Sequence, residues 1–159
     1  MILIHQRAWA LLTLLAGGAL SGCLPAAQAS GARAYLMGTT VPDFPSRCDL
    51  RLDMTGDQEM LFVTQRLTLH VPYDKVNTVE YGQHVGRRYM EAVLISPLFL
   101  LSKSRKHYVT VGYVDANGRQ QALVLQVNKG DVRAVLAGLE AKTGRRVEYT
   151  DDEARKGRG

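Results

Sequence analysis

Few residues in this chain combine a reactive type with a spacing that chemistry requires. The histidines, His5, His70, His84 and His107, follow no common interval. No CxxC, HExxH or Cys/His cluster occurs, so metal-ligand spacing is absent and neither a metal nor another cofactor is expected. A nucleophile, base and acid can be composed from Ser96, His107 and Asp115, but their spacing does not support a triad. There is no GxSxG elbow and no GxxxxGK[ST] phosphate loop. Asp151-Asp152-Glu153 is acidic but sits in a charged terminal stretch. No catalytic residue is therefore expected. The thiol of Cys23 is the reactive group with specific surroundings. Arg7 supplies a positive start, residues 8–20 carry no charge and are mostly apolar, and the small residues Ser21-Gly22 precede the cysteine. This is the layout of an export signal. Its apolar core of about a dozen residues is too short to cross a bilayer of roughly 30 Å as a permanent helix.

In that context Leu20-Ser21-Gly22-Cys23 resembles a bacterial lipobox. The resemblance implies that the thiol of Cys23 is acylated with diacylglycerol and that cleavage then leaves Cys23 as the new N-terminus. It divides the chain into a signal peptide, 1–22, and an exported, lipid-anchored remainder in the cell envelope. Leu24 follows the cysteine where Asp would mark a different destination. That resembles cargo of the Gram-negative outer membrane, facing the periplasm.

Loss of the first 22 residues leaves about 137, the length of one domain. With 46% hydrophobic and 22% charged residues the chain can bury an ordinary core. The net charge of +5 is modestly basic. For an exported, tethered chain this favours anionic lipid or an envelope partner protein and argues against nucleic acid. Once Cys23 is acylated, Cys48 has no partner within the chain and reads as a small, buried apolar residue, or else as a site of intermolecular bridging.

These groups must be positioned by short strands. Residues 23–45 lack periodicity and carry two prolines, Pro42 and Pro45, which predicts a flexible tether. From Cys48 to Met54, apolar and polar residues alternate with the period of two of a half-buried strand. Further strands are predicted at 60–63, 67–71, 74–81, 108–114 and 120–127. Asp115-Ala116-Asn117-Gly118 makes the hairpin turn between the last two. Val132, Val135, Leu136 and Leu139 form one stripe of a helix that starts near Asp131 and is capped by Gly144. A final strand at 146–149 and a frayed tail over 150–159 complete the reading.

Residues 89–101 break the pattern. They are densely apolar, split by Pro97, preceded by Arg87 and Arg88 and followed by Lys103, Arg105, Lys106 and His107. The segment reads either as a core element with solvated ends or as an interfacial insertion, with Leu98 and Phe99 entering the acyl boundary. In the second reading Arg87, Arg88, Lys103, Arg105, Lys106 and His107 contact anionic headgroups. A protein contact would use the same apolar surface.

The element order, several strands and a hairpin followed by one helix, resembles the bacterial PH-like and GRAM-like domains. So does Val71-Pro72-Tyr73-Asp74-Lys75-Val76-Asn77-Thr78-Val79-Glu80-Tyr81. The resemblance implies a mainly β domain over 46–149, a PH-like β-barrel or sandwich plugged by its C-terminal helix and carrying the apolar insertion. It implies binding of lipids, peptides or proteins rather than catalysis. The function expected is a membrane-anchored, non-catalytic binding module for a membrane surface or an envelope protein; the alternative is an envelope hydrolase on the same fold.

Overall fold

The computed structural model describes residues 31–86 and 106–150. Among the described residues, eight strands and one helix follow in order: β1 (Ala32–Thr39), β2 (Cys48–Asp53), β3 (Glu59–Val63), β4 (Thr68–Pro72), β5 (Val76–Gly82), β6 (His107–Val114), β7 (Gln120–Val127), α1 (Val132–Thr143) and β8 (Glu148–Tyr149). A single 3-10 turn, Tyr73–Lys75, joins β4 to β5. The strands form one sheet in the order β4-β3-β2-β1-β7-β6-β5-β8. Neighbours are antiparallel except β8, which lies parallel to β5.

This is a mainly β fold with one helix near the C-terminus. The sheet is open, since its outer strands β4 and β8 do not pair with each other; the sandwich form of the expectation holds, not a closed barrel. Both halves of the sheet nevertheless contribute to one core. Leu36, Leu50, Leu52, Phe62 and Val71 from the β1–β4 half meet Val79, Val109, Val111, Leu123 and Leu125 from the β5–β7 half. The register slips between Leu36 and Gly38 on β1 and between Val76 and Thr78 on β5. Such bulges sharpen twist and bend a strand, which lets a continuous sheet fold over itself.

The helix closes one end of that fold. Val132, Val135 and Leu139 are buried in the core, with Leu136 packed against it. Gly144 ends the helix in the left-handed conformation (φ 67°), its N–H donating to Glu140 O at 3.0 Å. Lys142 Nζ donates to Gly56 O and to Asp57 Oδ1, both at 3.0 Å, and sits 5.8 Å above the Tyr73 ring. Beyond the cap, Arg145 Nε donates to Val76 O, and Thr150 N donates to Tyr81 O. The C-terminal residues are thereby strapped along β5.

One boundary needs correction. Within the segment expected as a 23–45 tether, Ala32–Thr39 is β1, a central strand paired with β2 on one side and β7 on the other. Residues 40–47 are the loop that follows it. Alternation is present, with Ala34 and Leu36 facing the core and Arg33 and Tyr35 facing away, but Ala and Gly mask it. The folded unit therefore begins before residue 46. Residues 1–30, the apolar segment 89–101 and the tail 151–159 lie outside the described residues.

Candidate functional site

The outer face of the sheet, opposite the core, carries the most suggestive grouping of charge. Alternation sends Ala34, Leu36, Leu50 and Leu52 inward, so Arg33 and Tyr35 on β1 and Asp49 and Arg51 on β2 project outward. Strand register then sets the neighbours. Arg33 lies opposite Arg51, and Tyr35 lies opposite Asp49 on one side and Gln126 on the other. Lys106, immediately before β6, joins the same face beside Asn128. The result is a shallow groove of about 540 Å3 along β1, β7 and the start of β6. It continues over β2 and β3 as a second hollow of about 440 Å3, and Arg33, Ala34 and Asp49 line both.

The groove's charges are poorly compensated. Several charged side chains on other parts of the domain are paired: Glu59 with His70 at 2.8 Å, Asp115 with Arg119 at 3.1 Å and Asp57 with Lys142 at 3.0 Å. Among the described residues, Arg33, Arg51 and Lys106 make no ion pair. Arg51 Nε is buried without a hydrogen-bond acceptor. The Arg51 stem crosses the chain at Gly31, where a Cβ would stand 2.8 Å from Arg51 Cγ and 2.7 Å from Leu52 O. Gly31 has φ +149°, so only glycine suits both the backbone and the contact. Asp53 carries a carboxyl held below its ordinary value, chiefly by hydrogen bonds from the Thr55 hydroxyl and N–H, with Arg51 the smallest influence.

Lys106 and His107 were expected to share one headgroup patch, and the structure separates them. Successive strand residues point to opposite faces, so His107 turns away from the groove and meets Tyr81, hydroxyl to Nδ1, at 2.7 Å. The two rings are nearly parallel (5°) with centroids 6.0 Å apart, side by side as an in-plane hydrogen bond requires. Tyr149 packs edge-on against Tyr81. Burial, aided by the nearby Lys129 charge, pushes the imidazole below its ordinary pKa of 6.5. His107 is thus neutral at neutral pH and offers no positive contact. The other expected contacts, Arg87, Arg88, Leu98, Phe99, Lys103 and Arg105, and the expected acylation site Cys23, lie outside the described residues.

The remaining reactive residues fall into place separately. His107 and Asp115 flank β6 at its two ends, roughly 26 Å apart at about 3.3 Å per residue, so they cannot serve one triad. His70 is exposed on the outer side of β4, as its alternation predicts. Cys48 is half-buried against the core, its thiol pKa raised by burial and by Asp49. Among the described residues, no group of three or more His, Cys, Asp or Glu is placed to hold a metal ion. None of their helices is long and apolar enough to cross a membrane. A more apolar hollow of about 490 Å3 lies between β4 and the β6–β7 turn, lined by Val41, Pro42, Leu69 and Tyr113 among others.

Arg33 and Arg51 were not singled out in the sequence. In the sequence Arg33 lies in the aperiodic 23–45 stretch, and Arg51 has the setting of an ordinary solvated residue of an alternating strand. Only the pairing of β1 with β2 makes them neighbours, and the pairing of β1 with β7 brings Arg33 into one groove with Lys106. No protein-family model matches the chain, and no curated protein matches it.

Proposed function

We propose that this chain is a lipid-anchored envelope protein whose β domain is a non-catalytic binding module held against a membrane surface. The anchor rests on the lipobox-like Leu20-Ser21-Gly22-Cys23. The observation that carries the membrane side of the reading is where the chain leaves the sheet. Ala34 pairs with Val127, Val127 pairs with His107, and Tyr108 pairs with Gly82. The point where the N-terminal segment enters the sheet and the two points bounding residues 87–105 therefore share one end. At about 4.8 Å per strand spacing the three strand ends fall within about 15 Å of each other. Eight residues separate Cys23 from Ala32, at most about 30 Å of extended chain. An acylated Cys23 would hold this end near the bilayer, and with it Arg33, Lys106 and the apolar, base-flanked segment 89–101. Each basic residue near an anionic surface adds about 1 kcal/mol to what such an anchor supplies.

Two measurements test this. Metabolic labelling with fatty acid should mark the wild-type protein, and Cys23→Ala should lose the label. Separately, a chain beginning at Leu24, without the signal and Cys23, should still float with phosphatidylglycerol vesicles, whereas Leu98→Asp with Phe99→Asp in that chain should abolish flotation without lowering the melting temperature. Absence of flotation for the unacylated chain with intact Leu98 and Phe99 rejects the second contact while leaving the anchor standing.

A further inference from the structure

We propose that the hollow lined by Arg33, Arg51 and Gln65 is a binding site for a phosphate group. The fold assembles it from three separate stretches of chain, with β2 at the centre. Arginines directly opposite on adjacent strands repel, and natural sheets place opposite charges or apolar residues at such positions. Here the pair is retained, with no ion pair to relieve it among the described residues. Asp49 lines the same hollow, but among the described residues it makes no ion pair with either guanidinium. The buried Arg51 Nε is a second, independent sign. A charged donor withdrawn from water and given no acceptor is costly, and an anion drawn against this guanidinium would offset that cost.

Donor geometry selects the class of anion. Two guanidinium forks and the Gln65 carboxamide exceed what a two-oxygen carboxylate can accept. They suit the several oxygens of a tetrahedral phosphate, which arginine engages in bidentate fashion. The phosphate could belong to a lipid headgroup or to a soluble ester. Only the lipid source rests on the membrane reading above.

The test uses the full chain in neutral detergent, titrated calorimetrically with inorganic phosphate and with glycerol phosphate. Arg33→Gln and Arg51→Gln should each weaken binding about tenfold, the loss of one charge-assisted contact. Asp49→Asn should strengthen it, because it removes the groove's opposing charge. Lys75→Gln, an exposed lysine outside the groove, should leave affinity unchanged. Because the Arg51 stem packs on Gly31, its variant is read beside Arg33→Gln, whose side chain is exposed and whose loss does not disturb the core. No phosphate binding, affinity indifferent to Arg33→Gln, or equal weakening by Lys75→Gln overturns the site. Flotation with phosphatidylglycerol vesicles separates the sources. Flotation that falls with the same arginine variants assigns a lipid headgroup. Phosphate binding with flotation absent or indifferent assigns a soluble ester, and the site then survives a failure of the membrane reading.

Discussion

At the scale of single residues, two groups tie the fold to pH in different windows. Asp115 closes the β6–β7 turn: its Oδ1 accepts the N–H of Asn117 at 2.8 Å and of Arg119 at 2.9 Å, and its Oδ2 accepts Gln121 Nε2 at 3.0 Å. These donors, led by the Arg119 backbone, hold its pKa at about 2. A carboxyl depressed by folding stabilises above its unfolded pKa, about 3.9, and that contribution is lost as pH falls toward 2. Asp115→Asn should therefore flatten the stability profile between about pH 4 and about pH 2, measured by urea unfolding. His107 has the opposite chemistry, with its neutral form favoured in the fold. Below its ordinary value of 6.5 the unfolded chain takes up the proton first, so stability falls with acid in that window. His107→Gln should lose about 1 kcal/mol with the Tyr81 bond at about pH 8 and show a shallower decline toward about pH 5. An unchanged slope would place the sensitivity elsewhere.

At the scale of elements, β1 carries the main lesson about what could be read in advance. Strands with strict alternation, β2 and β4, were legible, as was the β7 run from Gln120 to Val127, which matches its expected bounds. The hairpin turn, with Gly118 at φ +76°, and the Gly144 cap were legible because only a few residue types accept such conformations. β1 was not, because its alternation is written in Ala, Arg and Gly, and its stability comes from two partners that sequence periodicity does not reveal. The same ignorance hid the site: Arg33 and Arg51 become a pair only through register. A chain beginning at Gly31 should fold cooperatively, whereas one beginning at Ser46 should lack the sheet's centre and give no dispersed amide spectrum. Within β1, Leu36, fully buried, should cost about 2–5 kcal/mol when replaced by Ala. Gly118→Ala in the turn should cost about 1–2 kcal/mol, the penalty for a side chain in the left-handed region.

At the scale of the whole molecule, the two faces of the sheet have separate tasks. The inner face holds one core shared by both halves and the helix. The outer face of β1, β7 and β6 buries a second, smaller set, Met37, Val85, Tyr108, Ala122 and Val124, beside the basic groove. Tyr108 and Val124 are thus constrained from outside as well as through the sheet. Tyr108→Ala should destabilise by about 3 kcal/mol or more, as an interior aromatic would, and a thermal melt shift of a few tenths of a degree would contradict that. The junction between β1 and β7 has a further consequence for how the molecule is made. Thr39 Oγ1 donates to Ala122 O across 83 residues of chain, and Thr40 Oγ1 donates to Gln121 Oε1 across 81. During synthesis β1 emerges early and can pair at once with β2, but its other edge must wait for β7. Loops of this length close slowly and leave strand edges unprotected meanwhile. Until β7 is made, the flank of β1 that carries Leu36 has no strand to pair with, so the centre of the sheet is completed only near the end of synthesis.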